Sequence, residues 1–186
     1  MGRWLSGRDP STGCRMSVKK RSGMIIIVTG VSGSGKTTVG TQLALALHWS
    51  FVDADDYHPP ANVEKMQRGI ALTEQDRRPW LRALRSRIEE WLKQDRRLVL
   101  ACSALKASHR RELLVDPSRM RIVYLKGPYD LIERRLAARK GHFMRGELLA
   151  SQFDALEEPE GVLVVDVALP PQDIVQQIRK ELGRSL

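Results

Sequence analysis

The amino-acid sequence predicts a three-layer α/β fold, in which a parallel five-stranded sheet has helices on both faces. Two observations predict it: five short apolar runs have the composition of buried strands, and stretches of helical periodicity separate them. The chain has 186 residues and is 42% hydrophobic, which is typical of one globular domain with a substantial core. The predicted strands are 24–30, 50–53, 97–103, 121–126 and 162–167.

A glycine-rich segment joins the first predicted strand to the first helix. Residues 30–37 read G-V-S-G-S-G-K-T, which matches the pattern G-x-x-x-x-G-K-[ST] in full. Its glycines allow successive backbone N–H groups to point inward, and the helix that follows attracts phosphate at its positive end. A simple Gly/Ser turn would need neither Lys36 nor Thr37 at these positions. The segment therefore predicts a P-loop NTPase that binds a nucleoside triphosphate, and we call residues 30–37 the phosphate loop.

The phosphate loop has predicted roles for its side chains as well as for its backbone. Lys36 is expected to reach the β- and γ-phosphates of ATP and to act in catalysis, and the Thr37 hydroxyl is expected to bind Mg²⁺. The predicted nucleotide-binding residues are Gly30, Val31, Ser32, Gly33, Ser34, Gly35, Lys36, Thr37 and Thr38.

The other elements follow in order along the chain. Apolar periodicity predicts a helix over 38–47. About forty mostly helical residues, 54–95, come after the second strand; they are too many for a simple crossover and predict a substrate-side insertion that caps the phosphate site. Pro128 is expected to open a later helix, and Pro170 and Pro171 the last one, which ends near Gly183.

Acidic residues follow the second strand, and ligands of open α/β sheets bind beyond the carboxyl ends of the strands. Asp53 and Asp55 are two residues apart, so both can face the same side, Asp53 toward the metal and Asp55 toward an acceptor hydroxyl. The alternative is that they only cap the next helix. Asp56, a third adjacent carboxylate, has no further role to fill.

Polar residues also follow the third strand. Ser103 and Lys106 stand where a substrate would lie. His109 is predicted to be a surface residue rather than a catalytic one, and a solvated basic helix face explains Arg111 equally well. Four scattered histidines and two distant cysteines predict no zinc site.

Arg135 and Arg139 form the third group of candidate residues. They are four residues apart and so project from one face of a predicted helix, which Gly141 then ends. Arginines so placed can stack on a base and hold phosphoryl oxygens when a lid closes. We therefore predict a lid over 139–150 with Arg139 in a catalytic role; the alternative is a solvated charged face.

The net charge of +9 suggests nucleic acid at first sight, but its distribution argues against that. Residues 1–23 hold six positive residues and one negative, which leaves +4 for 24–186. We predict a disordered basic leader over 1–23, with Met16 or Met24 as possible starts, and a single P-loop domain over 24–186. Neither a secretory signal nor a membrane span is predicted, and the two cysteines fit a reducing cytoplasm.

Several further segments carry a resemblance to a known family. They are D-A-D-D-Y-H-P-P-A-N-V-E-K-M at 53–66, D-R-R-P-W-L at 76–81, C-S-A-L-K at 102–106, Y-L-K-G at 124–127, A-R-K-G-H-F-M at 138–144 and S-Q-F at 151–153. With the phosphate loop, they make residues 24–183 similar to bacterial gluconokinases, small P-loop sugar-acid kinases. Shikimate and adenylate kinases would share the loop and a lid arginine pair, but not H-P-x-x-N-x-x-K-M or K-G-H-F. The chain departs from the family at Arg145 and in a short connection over 156–162.

The resemblance implies a fold like that of nucleoside monophosphate kinases and transfer of the ATP γ-phosphate to the 6-hydroxyl of D-gluconate. It also implies a Mg²⁺ requirement and often a homodimer. From the charge distribution and the lack of a long apolar stretch, no nucleic-acid or membrane partner is expected. Asp55 would act on the acceptor hydroxyl, and Arg135 and Arg139 on the nucleotide. The sugar acid would be surrounded by Asp55, His58, Lys65, Arg77, Ser103, Lys106 and His142.

Two other functions remain open at this point. One is a P-loop kinase of another small acceptor, such as shikimate or a nucleotide. The other is a nucleotide-binding switch without a metabolic substrate, which the basic leader would favour.

Overall fold

The computed structural model describes residues 23–138 and 146–185. Its centre is a five-stranded sheet with the strand order β2-β3-β1-β4-β5, in which every neighbouring pair is parallel. The predicted fold class is therefore confirmed. The strands are β1 (Met24–Thr29), β2 (Ser50–Asp53), β3 (Arg97–Ala101), β4 (Met120–Lys126) and β5 (Leu163–Asp166).

The helices begin where the sequence supplies start signals. Thr73 and Asp76 form a reciprocal capping box at the start of α3 (Glu74–Lys93), and Pro60 and Pro171 stand in the first turns of α2 (Pro60–Gln67) and α7 (Pro171–Ser185). A short 3-10 helix, Ala54–Tyr57, follows β2. The α-helices are α1 (Lys36–Leu47), α2 (Pro60–Gln67), α3 (Glu74–Lys93), α4 (Ala107–Leu113), α5 (Tyr129–Ala137), α6 (Gly146–Asp154) and α7 (Pro171–Ser185).

The sheet is buried on both faces because helices cover each of them. Alternate residues of β1 point to opposite sides: Ile26 packs among apolar residues of α1, α5 and α7, and Ile27 packs among those of α3 and α4. Trp80 and Trp91 of α3 fill the second layer and are each 2% exposed. None of the helices in the two described ranges is long and apolar enough to cross a bilayer.

The stretch predicted as one substrate-side insertion divides into two parts. Its longer helix, α3, belongs to the helical layer of the sheet, since it buries Trp80, Leu84 and Ile88 there. Its other parts border the site at the ends of the strands: α2, the segment between α2 and α3, and the first turns of α3, which carry Arg77 and Trp80. The leader and most of the predicted lid lie outside the described residues.

Candidate active site

The phosphate loop lies between β1 and α1 and has a backbone that only glycine adopts readily. Gly33 has φ 80° and Gly35 has φ 95°, both in the left-handed region. A Cβ on Gly33 would come within 2.7 Å of Leu136 Cγ, so α5 packs directly against the loop. This curled backbone at a helix N-terminus is the arrangement that binds phosphate in proteins.

The loop side chains point both inward and toward the cleft. Lys36 Nζ donates a hydrogen bond to the carbonyl of Val31 over 3.0 Å, which folds the side chain back along the loop. Ser34 Oγ is buried and has no hydrogen-bond partner among the described residues. Val31 is buried, and Thr38 is exposed in the first turn of α1.

Thr37 and Asp53 bring a hydroxyl and a carboxylate together at the edge of the phosphate loop. Thr37 Oγ1 donates to Asp53 Oδ2 over 3.0 Å, and Asp53 Oδ1 accepts from the backbone N–H of Asp55 over 3.1 Å. A hydroxyl and a carboxylate suit Mg²⁺, which takes oxygen ligands and fills its remaining positions with water and phosphate. These two residues therefore fit the ion. Asp53 also caps the 3-10 helix, as the alternative prediction for it had it.

Asp55 lies across the cleft from the phosphate loop and lines the same cavity as Lys36. Burial raises the pKa of Asp55, and the Lys36 ammonium acts in the opposite direction. The side chain keeps 65% of its surface open to the cleft, so solvent limits that rise. Asp56 is exposed and does not line the cavity.

This central cavity, of about 130 Å³, lies at the carboxyl ends of the strands. His58 forms part of its wall and stacks on Trp80, with ring centroids 4.4 Å apart. Burial lowers the pKa of His58 to about 4, and the Arg77 guanidinium acts in the same direction, so the imidazole is neutral at pH 7. The polar lining residues are Ser32, Lys36, Asp55, His58, Arg77, Ser103, Ser151 and Gln152.

Glu74, in the first turn of α3, forms ion pairs with three basic residues beside this cavity. Its carboxylate lies 3.0 Å from Lys106 Nζ, 3.0 Å from His109 Nε2 and 3.5 Å from Arg77. The hydrogen bond from His109, followed by that from Lys106, lowers the pKa of Glu74 to about 2. The prediction of a surface His109 is wrong: the residue is 6% exposed, because α4 packs it against α3 where Glu74 offers an acceptor.

Of the other predicted site residues, some line the cavity and some do not. Lys65 Nζ donates to Asp76 Oδ1 over 2.7 Å and does not line the cavity. Ser103 lines it, and its carbonyl accepts a hydrogen bond from the buried Thr29 hydroxyl. Arg135 lies half-buried in the last turn of α5. Arg139 and His142 lie outside the described residues.

Sequence reasoning missed three residues that organise the site: Glu74, Arg110 and Gln152. The Arg110 guanidinium is buried and donates to the carbonyls of Ala104, Leu105 and Glu157. Gln152 Oε1 accepts from the backbone N–H of Ser32 over 2.7 Å. Only Gln152 had a signal in the sequence, the S-Q-F block at 151–153, and nothing in that block indicates a partner in the phosphate loop.

A larger groove, of about 390 Å³, lies at the opposite end of the strands beside Met120 and Leu163. Its walls are mainly apolar, and the phosphate loop lies at the other end of the sheet. We therefore place the chemistry in the smaller central cavity.

Comparisons with known proteins show which proteins this chain is similar to. Residues 25–159 match an AAA domain family. A probable gluconokinase of Xenopus tropicalis is 44% identical over 88% of this chain and 95% of that protein. The thermoresistant gluconokinase of Escherichia coli (strain K12) is 41% identical over 86% of this chain and 94% of that protein.

A solved structure is similar to this chain in fold as well as in sequence. The crystal structure of a gluconokinase from Sinorhizobium meliloti 1021 superimposes with a TM-score of 0.79 at 41% sequence identity, over 89% of this chain and 94% of that one. With the phosphate loop and the cavity beside it, these matches show that the chain belongs to the gluconokinase family of P-loop kinases.

Proposed function

We propose that the protein transfers the γ-phosphate of ATP to the 6-hydroxyl of D-gluconate, giving 6-phospho-D-gluconate and ADP. Family membership supports the reaction class and the substrate. The structural observation that carries the proposal is the central cavity, where Lys36 of the phosphate loop and Asp55 line one space together with Arg77. A phosphate donor and a small acceptor would meet there.

The chemistry of gluconate matches the charges around the cavity. Gluconate has a carboxylate at one end and a primary hydroxyl at the other. Arg77 and Lys106, held by Glu74, supply cations for the carboxylate, and a guanidinium can bind it through two parallel hydrogen bonds. Asp55 supplies the base at the other end. His58 and Ser103 offer neutral hydrogen-bonding groups for the hydroxyls between the two ends.

Catalysis in this arrangement rests on alignment and charge neutralisation. Asp55 accepts the proton of the acceptor hydroxyl as the oxygen attacks the γ-phosphorus atom, and ADP leaves with the bridging oxygen. Lys36 and the loop amides offset charge on the phosphates. Thr37 and Asp53 would hold Mg²⁺, which would supply further charge neutralisation on the phosphates.

The remaining expectations belong to the same proposal. Arg135 and Arg139 bind the nucleotide, and His142 binds the sugar acid. Lys65 acts indirectly, since its ammonium holds Asp76 at the start of α3. We further propose that the enzyme requires Mg²⁺, works in the cytoplasm and forms a homodimer.

A coupled assay on the full chain tests the function. 6-Phospho-D-gluconate would be detected with an NADP-linked 6-phosphogluconate dehydrogenase, and ADP release would be measured in parallel with gluconate, shikimate or no acceptor. We expect gluconate to raise ADP release well above the background without acceptor, with equal amounts of the two products. ADP release that shikimate stimulates and gluconate does not, or that no acceptor changes, would reject the proposal in favour of another kinase or a nucleotide switch.

A further inference from the structure

Gln152 connects helix α6 to the phosphate loop. Its Oε1 accepts a hydrogen bond from the backbone N–H of Ser32 over 2.7 Å, although 120 residues separate the two in the chain. Ser32 is the third residue of the loop, on the side that borders the central cavity. The contact thus occupies one of the loop amides at the edge nearest the acceptor.

The other half of the carboxamide is available to a ligand. A carboxamide has an acceptor oxygen and an NH₂ donor on the same planar group, so binding Oε1 to Ser32 also fixes the direction of Nε2. No residue within 23–138 or 146–185 accepts a hydrogen bond from Nε2. Gln152 lines the central cavity with Asp55 and Ser103. Its NH₂ group is therefore a neutral donor at the boundary between phosphate loop and acceptor.

Helix α6 is fixed well enough to hold Gln152 in this place. Leu149 is fully buried in the core, and the ring of Phe153 packs on Tyr129 at 5.2 Å between centroids. Just beyond the helix, the backbone N–H of Glu157 donates to the carbonyl of Leu105 over 3.0 Å, and its carboxylate accepts from the backbone N–H of Ala107 over 2.7 Å. The helix is thus tied to the phosphate loop at one point and to the β3–α4 loop (residues 102–106) at another.

We propose that Gln152 recognises the γ-phosphate of ATP through Nε2 and so aligns it with the acceptor. The group in transfer must lie between the phosphate loop, which holds the β-phosphate, and Asp55, which faces the acceptor hydroxyl. Gln152 stands at that boundary with a donor directed by Ser32. The proposal rests on the proposed function for the identity of the acceptor, but its nucleotide part stands without it.

Replacement of Gln152 by glutamate tests the acceptor oxygen and the NH₂ donor of the carboxamide separately. Gln152→Glu keeps an oxygen for the Ser32 N–H and replaces the donor with a second negatively charged oxygen, whereas Gln152→Ala removes both. We expect Gln152→Glu to bind ATP at least about 10-fold more weakly while its ADP affinity changes less than about 3-fold. Turnover with gluconate should fall about 10²-fold, as for loss of one donor to a transferring group. Gln152→Ala should lose less ATP affinity than Gln152→Glu, because it adds no charge.

The affinities would be measured by calorimetry and turnover by product formation, with Gln176→Glu on the exposed face of α7 as a matched control. Unchanged ADP affinity shows that each variant is folded. Equal losses of ATP and ADP affinity, or near-normal ATP affinity and turnover in Gln152→Glu, would overturn the inference. If the parent protein does not phosphorylate gluconate, the proposed function fails, and the ATP-to-ADP affinity ratio still decides the role of Gln152.

Discussion

The Thr37 hydroxyl donates to the carboxylate of Asp53 over 3.0 Å, which joins the first turn of α1 to the end of β2. Both oxygens are ligands of the kind that Mg²⁺ prefers, and they meet at the edge of the phosphate loop. The other carboxylate oxygen of Asp53 accepts from the backbone N–H of Asp55. One side chain therefore connects the proposed metal position to the backbone of the proposed base.

This dual contact leads to a prediction for Asp53→Asn. The amide oxygen can still cap the 3-10 helix, but the charge that would attract the metal is gone. We expect the enzyme to need about 10-fold more Mg²⁺ for half-maximal turnover and to approach the parental rate when Mg²⁺ is in excess. Turnover would be titrated with Mg²⁺ at fixed ATP, with the exposed neighbour Asp56→Asn as control. An unchanged Mg²⁺ curve for Asp53→Asn would remove Asp53 from the metal site.

Asp55→Asn tests the base. Asparagine is nearly isosteric and can hydrogen-bond the sugar acid, but it cannot take a proton at neutral pH. We expect turnover to fall by about 10²- to 10⁴-fold while ATP affinity stays close to that of the parent. Since burial raises the pKa of Asp55 and only the ionised form accepts a proton, parental turnover should also decline as the pH falls through that pKa. A variant that keeps most of its turnover would exclude Asp55 as the base.

The parts of the site that could be predicted from the sequence depend on local order along the chain. Asp53 ends one strand and Asp55 follows it, and the phosphate loop follows another strand, so the parallel sheet brings them to one edge whatever the details of packing. The prediction of five strands is confirmed because it also depends on local sequence: each strand is a short apolar run, which is the composition of a parallel strand buried on both faces.

The parts that could not be predicted depend on partners far away in the chain. His109 reads as a surface residue until α4 packs on α3 and brings it to Glu74, 35 residues earlier. Arg110 and Arg111 look alike in the sequence, yet one is buried and the other exposed. The Arg110 guanidinium is buried because it donates to the carbonyl of Glu157, 47 residues later, as well as to two nearby carbonyls, and no local pattern indicates the distant one.

Glu74→Gln tests the ion cluster through stability. The pKa of Glu74 is lowered to about 2 in the folded protein against an ordinary value of 4.5. The ionised carboxylate therefore stabilises the fold fully above about pH 4.5, and this contribution is lost as the pH falls from there toward 2. We expect the urea midpoint of Glu74→Gln to lie below that of the parent at pH 7 and the gap to shrink at pH 3.

The size of this effect should be modest, because 47% of the Glu74 side chain is exposed. Glu64→Gln on α2, whose ion pair with Arg68 is more exposed, is the matched control and should shift the midpoint little at either pH. A gap for Glu74→Gln that is equal at pH 7 and pH 3 would mean that the amide substitution, not the lost charge, destabilises the protein.

Replacement of Arg110 should destabilise the fold through its buried hydrogen bonds. One of its terminal nitrogens donates to the carbonyls of Ala104 and Leu105 over 3.0 and 2.7 Å, and the other to that of Glu157 over 2.7 Å. Ala104 has φ 35°, a left-handed conformation that costs energy for a residue with a Cβ. The guanidinium holds this strained loop against the segment that follows α6.

Arg110→Lys keeps the charge but cannot reach three carbonyl groups from one ammonium, so buried acceptors lose their partners at about 1–3 kcal/mol each. We expect the free energy of unfolding to drop by about 2–4 kcal/mol. The adjacent Arg111→Lys, on the exposed side of the same helix, should change the free energy of unfolding by less than about 0.5 kcal/mol.

The replacement of Arg110 should also affect substrate binding. Because the strained loop carries Ser103 into the cavity, Arg110→Lys should raise KM for gluconate more than KM for ATP at temperatures where the variant is folded. Urea denaturation and steady-state kinetics of both variants would check this, and equal stability of the two would show that the buried hydrogen bonds do not hold the loop.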